Sequence, residues 1–396
     1  MRIALIPSSD LSYDSGSIIH AKRLFLALIE KGHDVHMVGS KIPKDIEHQY
    51  LSRIYIDEHI LDHPIINDRE VTDEQLMYSF SSSFDFLQKL HREKKIDVVH
   101  AQYLSFTSLA AAAFSAATGV PCVISSFGRD LSIGLVEDKR LAAMAIQSLS
   151  TIAHVIVPNE TVKKSFTELL ENRSLNIPIT IIPQSFDQNV LKIQPDLYGN
   201  LGSPLLATVN SCFTKEKGID EIIQALPVIR ERFPHVTLLI AGADDHPLQV
   251  NKNRLLALCH ELDVVDAVRF VGYLDRSSVG SLLAKADLFI DARKQGNFSS
   301  VLLEAQFMGV ATLCSDVEAA RTIITSQYNG EFFEPGNWQS LATKVITLIS
   351  SPSKLVSLRS GAVDWRMTHG NFYLENNAMS SIESIYHSLA EGCKVV

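Results

Sequence analysis

Two α/β units in tandem, each built on a parallel doubly wound sheet, are predicted by three features of the 396-residue chain. Short apolar runs bounded by Gly, Pro or Asp alternate with amphipathic stretches of helical period. The alternation stops in a polar segment, Gln184 to Ser203, which carries Pro195, Gly199 and Gly202 and shows no clear period, and then it restarts. The length also exceeds what one core usually holds, so two or three domains are expected.

Arg2 to Pro7 reads as the first strand. After a Gly-containing loop, Ala21, Leu24, Phe25 and Leu28 mark a helix that Gly32 stops. Strands follow at Asp34 to Val38, Ile96 to Val99, Cys122 to Ser126, Ala153 to Val157 and Pro178 to Ile182. In the second half they fall at Leu205 to Val209, Val236 to Ala241, Val268 to Val271, Leu288 to Ile290 and Val310 to Cys314. The expected organisation is an N-terminal domain over residues 1–190, a C-terminal domain over 204–368, and a terminal segment, 369–396. That segment carries an amphipathic stretch, Phe372 to Leu389, able to pack back across both domains.

Composition narrows the function classes. With 46% hydrophobic and 20% charged residues the chain is an ordinary globular one. A net charge of −9 without clustered Lys or Arg argues against nucleic acid, whose phosphates demand such clusters. The five cysteines are far apart and form no CxxC pair, which suits reduced thiols. The apolar run at the N-terminus is too short for a secretion signal, so a cytoplasmic place is expected. Ala101 to Gly128 is uncharged, but Gly119-Val120-Pro121 breaks it, and it reads as a buried helix, Phe106 to Thr118, followed by a strand. None of the fourteen histidines forms an HExxH-type set, so no metal is expected.

Ligands of open parallel sheets bind beyond the carboxyl ends of the strands, which directs attention to four loops. Ser8 to Ser17 holds Asp10, Asp14, Ser15 and Gly16; Gly16 would admit a close ligand, and the following helix N-terminus would favour an anion such as a diphosphate. The plainer reading is an N-capping turn. Thr208 to Gly218 carries Asn210, Ser211, Lys215 and Lys217, and a Lys at this mouth can neutralise phosphate, although a solvated turn would look the same. Gly296-Asn297-Phe298-Ser299-Ser300 opens a helix, Ser300 to Met308, with Ser299 as its N-cap and backbone N–H groups, Val301 included, pointed outward. Glu304 lies within that nearly all-apolar helix, so if buried its carboxylate needs a partner, a ribose diol or an internal cation, and the remaining reading is a residue on the helix's exposed edge. The last loop, Gly272-Tyr273-Leu274-Asp275, could read a nucleobase edge with its backbone.

Together these positions resemble the family-four retaining glycosyltransferases of the GT-B fold, two facing Rossmann-like domains with a cleft between them. The phrases that carry the resemblance span nearly the whole chain: Ser15-Gly16, Glu30-Lys31-Gly32-His33-Asp34-Val35, Asp97-Val98-Val99-His100-Ala101, Lys217-Gly218-Ile219-Asp220, Ala286-Asp287-Leu288-Phe289-Ile290, and Asn297-Phe298 through Glu304-Ala305 to Met308-Gly309-Val310. The resemblance implies transfer of a sugar from a nucleotide-sugar co-substrate, a UDP-sugar by expectation, with retention of configuration and no obligatory metal or other cofactor. Lys217 would hold the diphosphate, Glu304 the ribose, and backbone amides of Phe298 to Val301 the donor oxygens. A small hydroxyl-bearing acceptor is expected, a natural-product or cell-envelope precursor, with Asp10, Asp14, Gly128, Arg129 and Asp130 as its candidate contacts.

Three anchors of the family pattern are replaced. Gly296, beside Gln295, stands where the family usually has the first of two glutamates. Cys212 takes the place of an Arg, and Phe127 that of a His before Gly128. Two readings follow: an active enzyme in which Arg129, Lys215 and Gln295 take over parts of those roles, or a sugar-nucleotide-binding protein without turnover. An epimerase or hydrolase is a third, for which no pair of acid and base carboxylates stands out.

Overall fold

The computed structural model describes residues 1–7, 16–39, 51–53, 72–128, 130–131, 139–185, 191, 201–244, 248–295 and 298–392. The chain divides into two compact units, Met1–Ser185 with Glu375–Val396, and Phe186–Leu374.

The first unit is a parallel sheet of β1 (Arg2–Ile6), β2 (Asp34–Gly39), β3 (Leu51–Arg53), β4 (Val98–Gln102), β5 (Cys122–Ser125), β6 (Ile152–Val157) and β7 (Ile179–Ile181). Their order is β3-β2-β1-β4-β5-β6-β7. It reverses direction between β1 and β4, which register Leu5 against His100. The helices are α1 (Gly16–Glu30), α2 (Asp73–Lys94), α3 (Phe106–Thr118), α4 (Lys139–Ser148) and α5 (Glu160–Glu171). Sequence chemistry fixes their ends. Thr72 caps α2 and forms a capping box with Gln75, while Asp73 and Glu74 favour the positive end of the helix dipole. Gly119 stops α3 in a left-handed conformation, as expected for that uncharged stretch. No helix among the described residues is long and apolar enough to cross a membrane.

The second unit carries β8 (Leu205–Val209), β9 (Thr237–Ala241), β10 (Val268–Gly272), β11 (Leu288–Asp291), β12 (Thr312–Ser315) and β13 (Glu331–Phe333). Their order, β10-β9-β8-β11-β12-β13, places the switch between β8 and β11. Its helices are α6 (Ile219–Arg232), α7 (Val250–Glu261), α8 (Arg276–Lys285), α9 (Ser300–Met308), α10 (Glu318–Arg321), α11 (Trp338–Ile349) and α12 (Pro352–His369). The apolar runs named from the sequence are these strands, because a parallel sheet covered on both faces buries most side chains of its central strands. β4 runs on to Gln102, three residues past the expected end, since His100, Ala101 and Gln102 continue the ladder with β5. The three-residue strands β3 and β13 gave no periodic signal.

The terminal segment divides. Gly370–Tyr373 stays with the second unit, where Tyr373 packs against Trp365 at 5.5 Å between ring centroids. The last helix, α13 (Glu375–Gly392), joins the first unit, with Ile382 and Tyr386 fully buried among Ile3, Leu5, Phe25 and Val123. His100 Nδ1 lies 2.5 Å from Tyr386 Oη, and Glu383 pairs with Lys31 and His33. The reason is the apolar stripe of α13, which shares one sheet face with α1 and covers the part of it that α1 leaves open.

Candidate functional site

The switch point of the second sheet collects the sequence signals. Beyond β8, Lys215–Lys217 form a single turn of 3₁₀ helix that Gly218 ends with φ +69° before α6 begins. Only glycine fits there. A Cβ on Gly218 would lie 1.9 Å from the carbonyl oxygen of Ala292, so the lysine turn is pressed onto the loop that leaves β11. Two further bonds tie the same loops together. The Lys294 N–H donates to the Glu216 carbonyl at 2.8 Å, and Lys294 Nζ pairs with the buried Glu221 at 2.6 Å. Lys217 is half-buried within this turn.

The loop from β11 to α9 is organised by a carboxylate that sequence reasoning passed over. Asp291, 3% exposed, ends β11 and accepts from Arg293 Nε at 2.9 Å and from Ser299 Oγ at 2.7 Å. Arg293 Nη1 in turn donates to the Phe298 carbonyl at 2.8 Å. Burial works against the charge on Asp291, but the Arg293 charge and the bonds from Arg293 and Ser299 outweigh it and hold the pKa below the usual value. Ser299 is the N-cap expected from the sequence: its Oγ accepts from the Leu302 N–H at 3.2 Å and its carbonyl from Leu303. The amides of Ser300 and Val301 precede these, at the positive end of α9. Phe298 stacks on Tyr373 at 6.4 Å.

Glu304 is 3% exposed within α9, and it forms an ion pair with Arg276, the first residue of α8. The internal cation is therefore its partner in this structure. Tyr273 is exposed and Leu274 half-buried in the intervening loop, where Asp275 caps α8 through the Ser278 N–H at 2.7 Å. Asn210 is buried, its side chain donating to Thr208 Oγ1 at 3.1 Å, and Ser211 beside it is exposed.

In the first unit, Gly16 opens α1, while Asp10, Asp14, Ser15 and Arg129 lie outside the described residues, as Gln295's neighbours Gly296 and Asn297 do. Asp130, 2% exposed, accepts from Leu104 N–H at 3.0 Å, Gly128 N–H at 2.9 Å and Ser126 Oγ at 3.0 Å. Its carboxylate thus fastens the loops after β4 and β5 together instead of facing solvent as an acceptor contact would. Burial raises its pKa, against these bonds. Among the described residues no cluster of His, Cys, Asp and Glu could hold a metal.

Comparison with known proteins gives the family and the fold. The family profile described as Glycosyltransferase Family 4 matches residues 15–189, and that described as Glycosyl transferases group 1 matches 198–365. An uncharacterized glycosyltransferase of Methanocaldococcus jannaschii is 24% identical over 94% of this chain and 90% of its own length. The N-acetyl-alpha-D-glucosaminyl L-malate synthase of Bacillus anthracis is 23% identical over 84% of each chain. Among solved structures, Anabaena HepE in complex with UDP superposes with a TM-score of 0.77 at 16% identity, covering 98% of this chain and 100% of its own.

Proposed function

Since the chain belongs to the family-four glycosyltransferases of the GT-B fold, we propose that it moves a sugar from a UDP-linked donor to a hydroxyl of a small acceptor, in the cytoplasm, with retention and without an obligatory metal. The observation that carries this is the closure of Gly218 onto Ala292, which sets the Lys217 turn beside the loop leading to the α9 N-terminus. Cation and helix end are the two features that favour phosphate, and they belong to one switch point.

In the proposed reaction the bond from the anomeric carbon to the diphosphate breaks, the acceptor oxygen bonds to that carbon, and the hydroxyl proton passes to the oxygen of the departing diphosphate. Negative charge grows on the departing diphosphate, and Lys217 with the amides of Ser300 and Val301 meets it. Glu304 binds the ribose once Arg276 yields it. The HepE complex supports uridine as the base. A sugar-nucleotide-binding protein without turnover is the second reading, favoured by Arg276 closing on Glu304.

Titration calorimetry with UDP, GDP and ADP tests the donor site. The expected result is micromolar binding of UDP, weakened at least tenfold, about 1.4 kcal/mol, in a folded Glu304→Ala protein. Binding of none of the three nucleotides would end the proposal.

A further inference from the structure

The first sheet has its own switch point, at the ends of β1 and β4, and a buried amide lies there unused. Gln102, the last residue of β4, is 1% exposed, and neither its Nε2 nor its Oε1 has a hydrogen-bond partner. Buried polar groups are almost always paired, and an unpaired one costs free energy that the fold does not recover. Its strand position puts it on the face of His100 and Ser125, which bond each other at 2.8 Å and leave Gln102 out. α1 and α13 share that face.

His20 of α1 belongs to the same group. Its ring meets Phe127 edge-on at 5.4 Å, and Phe127 stacks on Tyr103, the residue after Gln102, at 5.8 Å. Tyr103 adopts φ +71°, a left-handed backbone that a bulky residue seldom takes and that its surroundings must impose. His20 is buried, and burial, with Arg23 nearby, lowers its pKa to about 4, so the ring is neutral at pH 7. His100 is neutral for the same first reason, its pKa lowered to about 3 by burial and by His20.

We propose that Gln102 and His20 form the acceptor subsite of the transferase reading above, and that it takes an uncharged polyol or sugar, whose hydroxyls both donate to and accept from the Gln102 amide while a ring face lies along Tyr103 and Phe127. The amide and the neutral imidazole each offer a donor and an acceptor, as hydroxyls require, whereas a carboxylate or phosphate mainly accepts. Gln102 and His20 act as specificity-determining residues.

The test is thermal melting of the whole protein, wild type against Gln102→Leu and Gln102→Met, with UDP alone and with UDP plus myo-inositol or methyl α-D-glucopyranoside. L-malate and inorganic phosphate serve as anionic probes. The expected result has three parts: the ligand-free variants melt no lower than wild type, the UDP shift is the same in all, and a saturable polyol shift in wild type falls at least tenfold in apparent affinity in both variants. Lower melting of both ligand-free variants would make the amide a structural element and overturn the proposal. So would a polyol shift that is absent or indifferent to Gln102, or an anion shift that depends on it. Absence of any UDP shift in wild type would instead count against the donor reading itself.

Discussion

Lys217→Ala is expected to lower the rate of sugar transfer by about 100- to 1000-fold, on the order of 3–4 kcal/mol of transition-state stabilisation, the range seen when one preorganised donor to a developing anion is removed. Lys217 is half-buried at the mouth of the sheet and outside the apolar clusters of the second unit. Its loss therefore leaves the melting temperature close to that of wild type, and steady-state kinetics alongside melting curves separate the two effects. A variant that melts normally and transfers sugar at the wild-type rate would remove Lys217 from the mechanism.

Asp291→Ala is expected to have the largest effect on stability, about 3–5 kcal/mol, the cost of leaving one member of a buried ion pair uncompensated. Arg293 would keep its charge in a site only 12% exposed at the side chain, and Ser299 would lose its acceptor. Denaturant unfolding at several pH values measures this. Because the folded-state pKa of Asp291 is depressed, its contribution is fully present above the unfolded value near pH 4 and is lost as pH falls toward the folded one. The gap between wild type and variant should accordingly be constant at neutral pH and narrow below about pH 4. A gap that is small at pH 7, or that widens in acid, would contradict the role given to this pair.

Much of the fold was readable because both sheets are parallel and covered on two faces, so their strands are continuous apolar runs between breakers. β3 and β13 were not, since Leu51-Ser52-Arg53 and Glu331-Phe332-Phe333 are short and broken by polar residues where the equally short β7 lies in an apolar run, and the fate of the C-terminal segment depended on an apolar stripe matching a face hundreds of residues away. At the site, the lysine turn and the Ser299 cap are local chemistry and stood out in the sequence. The Arg276–Glu304 pair joins two helices across an intervening strand, which no spacing rule links. Asp291 and Arg293 did leave a trace, a carboxylate closing an otherwise apolar strand with an arginine two positions on, and that trace is visible in hindsight only because the loop between them and α9 is now seen to hang from it. Gln102 was hidden for the opposite reason: one amide at the end of a buried strand has no pattern at all.

The central claim is that donor sugar is passed to an acceptor hydroxyl. Its most direct test is release of UDP from UDP-sugars, followed by chromatography and proton NMR of the products, with and without a panel of uncharged polyhydroxy acceptors. The account predicts UDP release that depends on acceptor, with a glycoside whose anomeric configuration is that of the donor. Donor consumed equally without acceptor would mean hydrolysis or epimerisation, and UDP-sugar bound but never consumed would mean a binding protein; either result would contradict it.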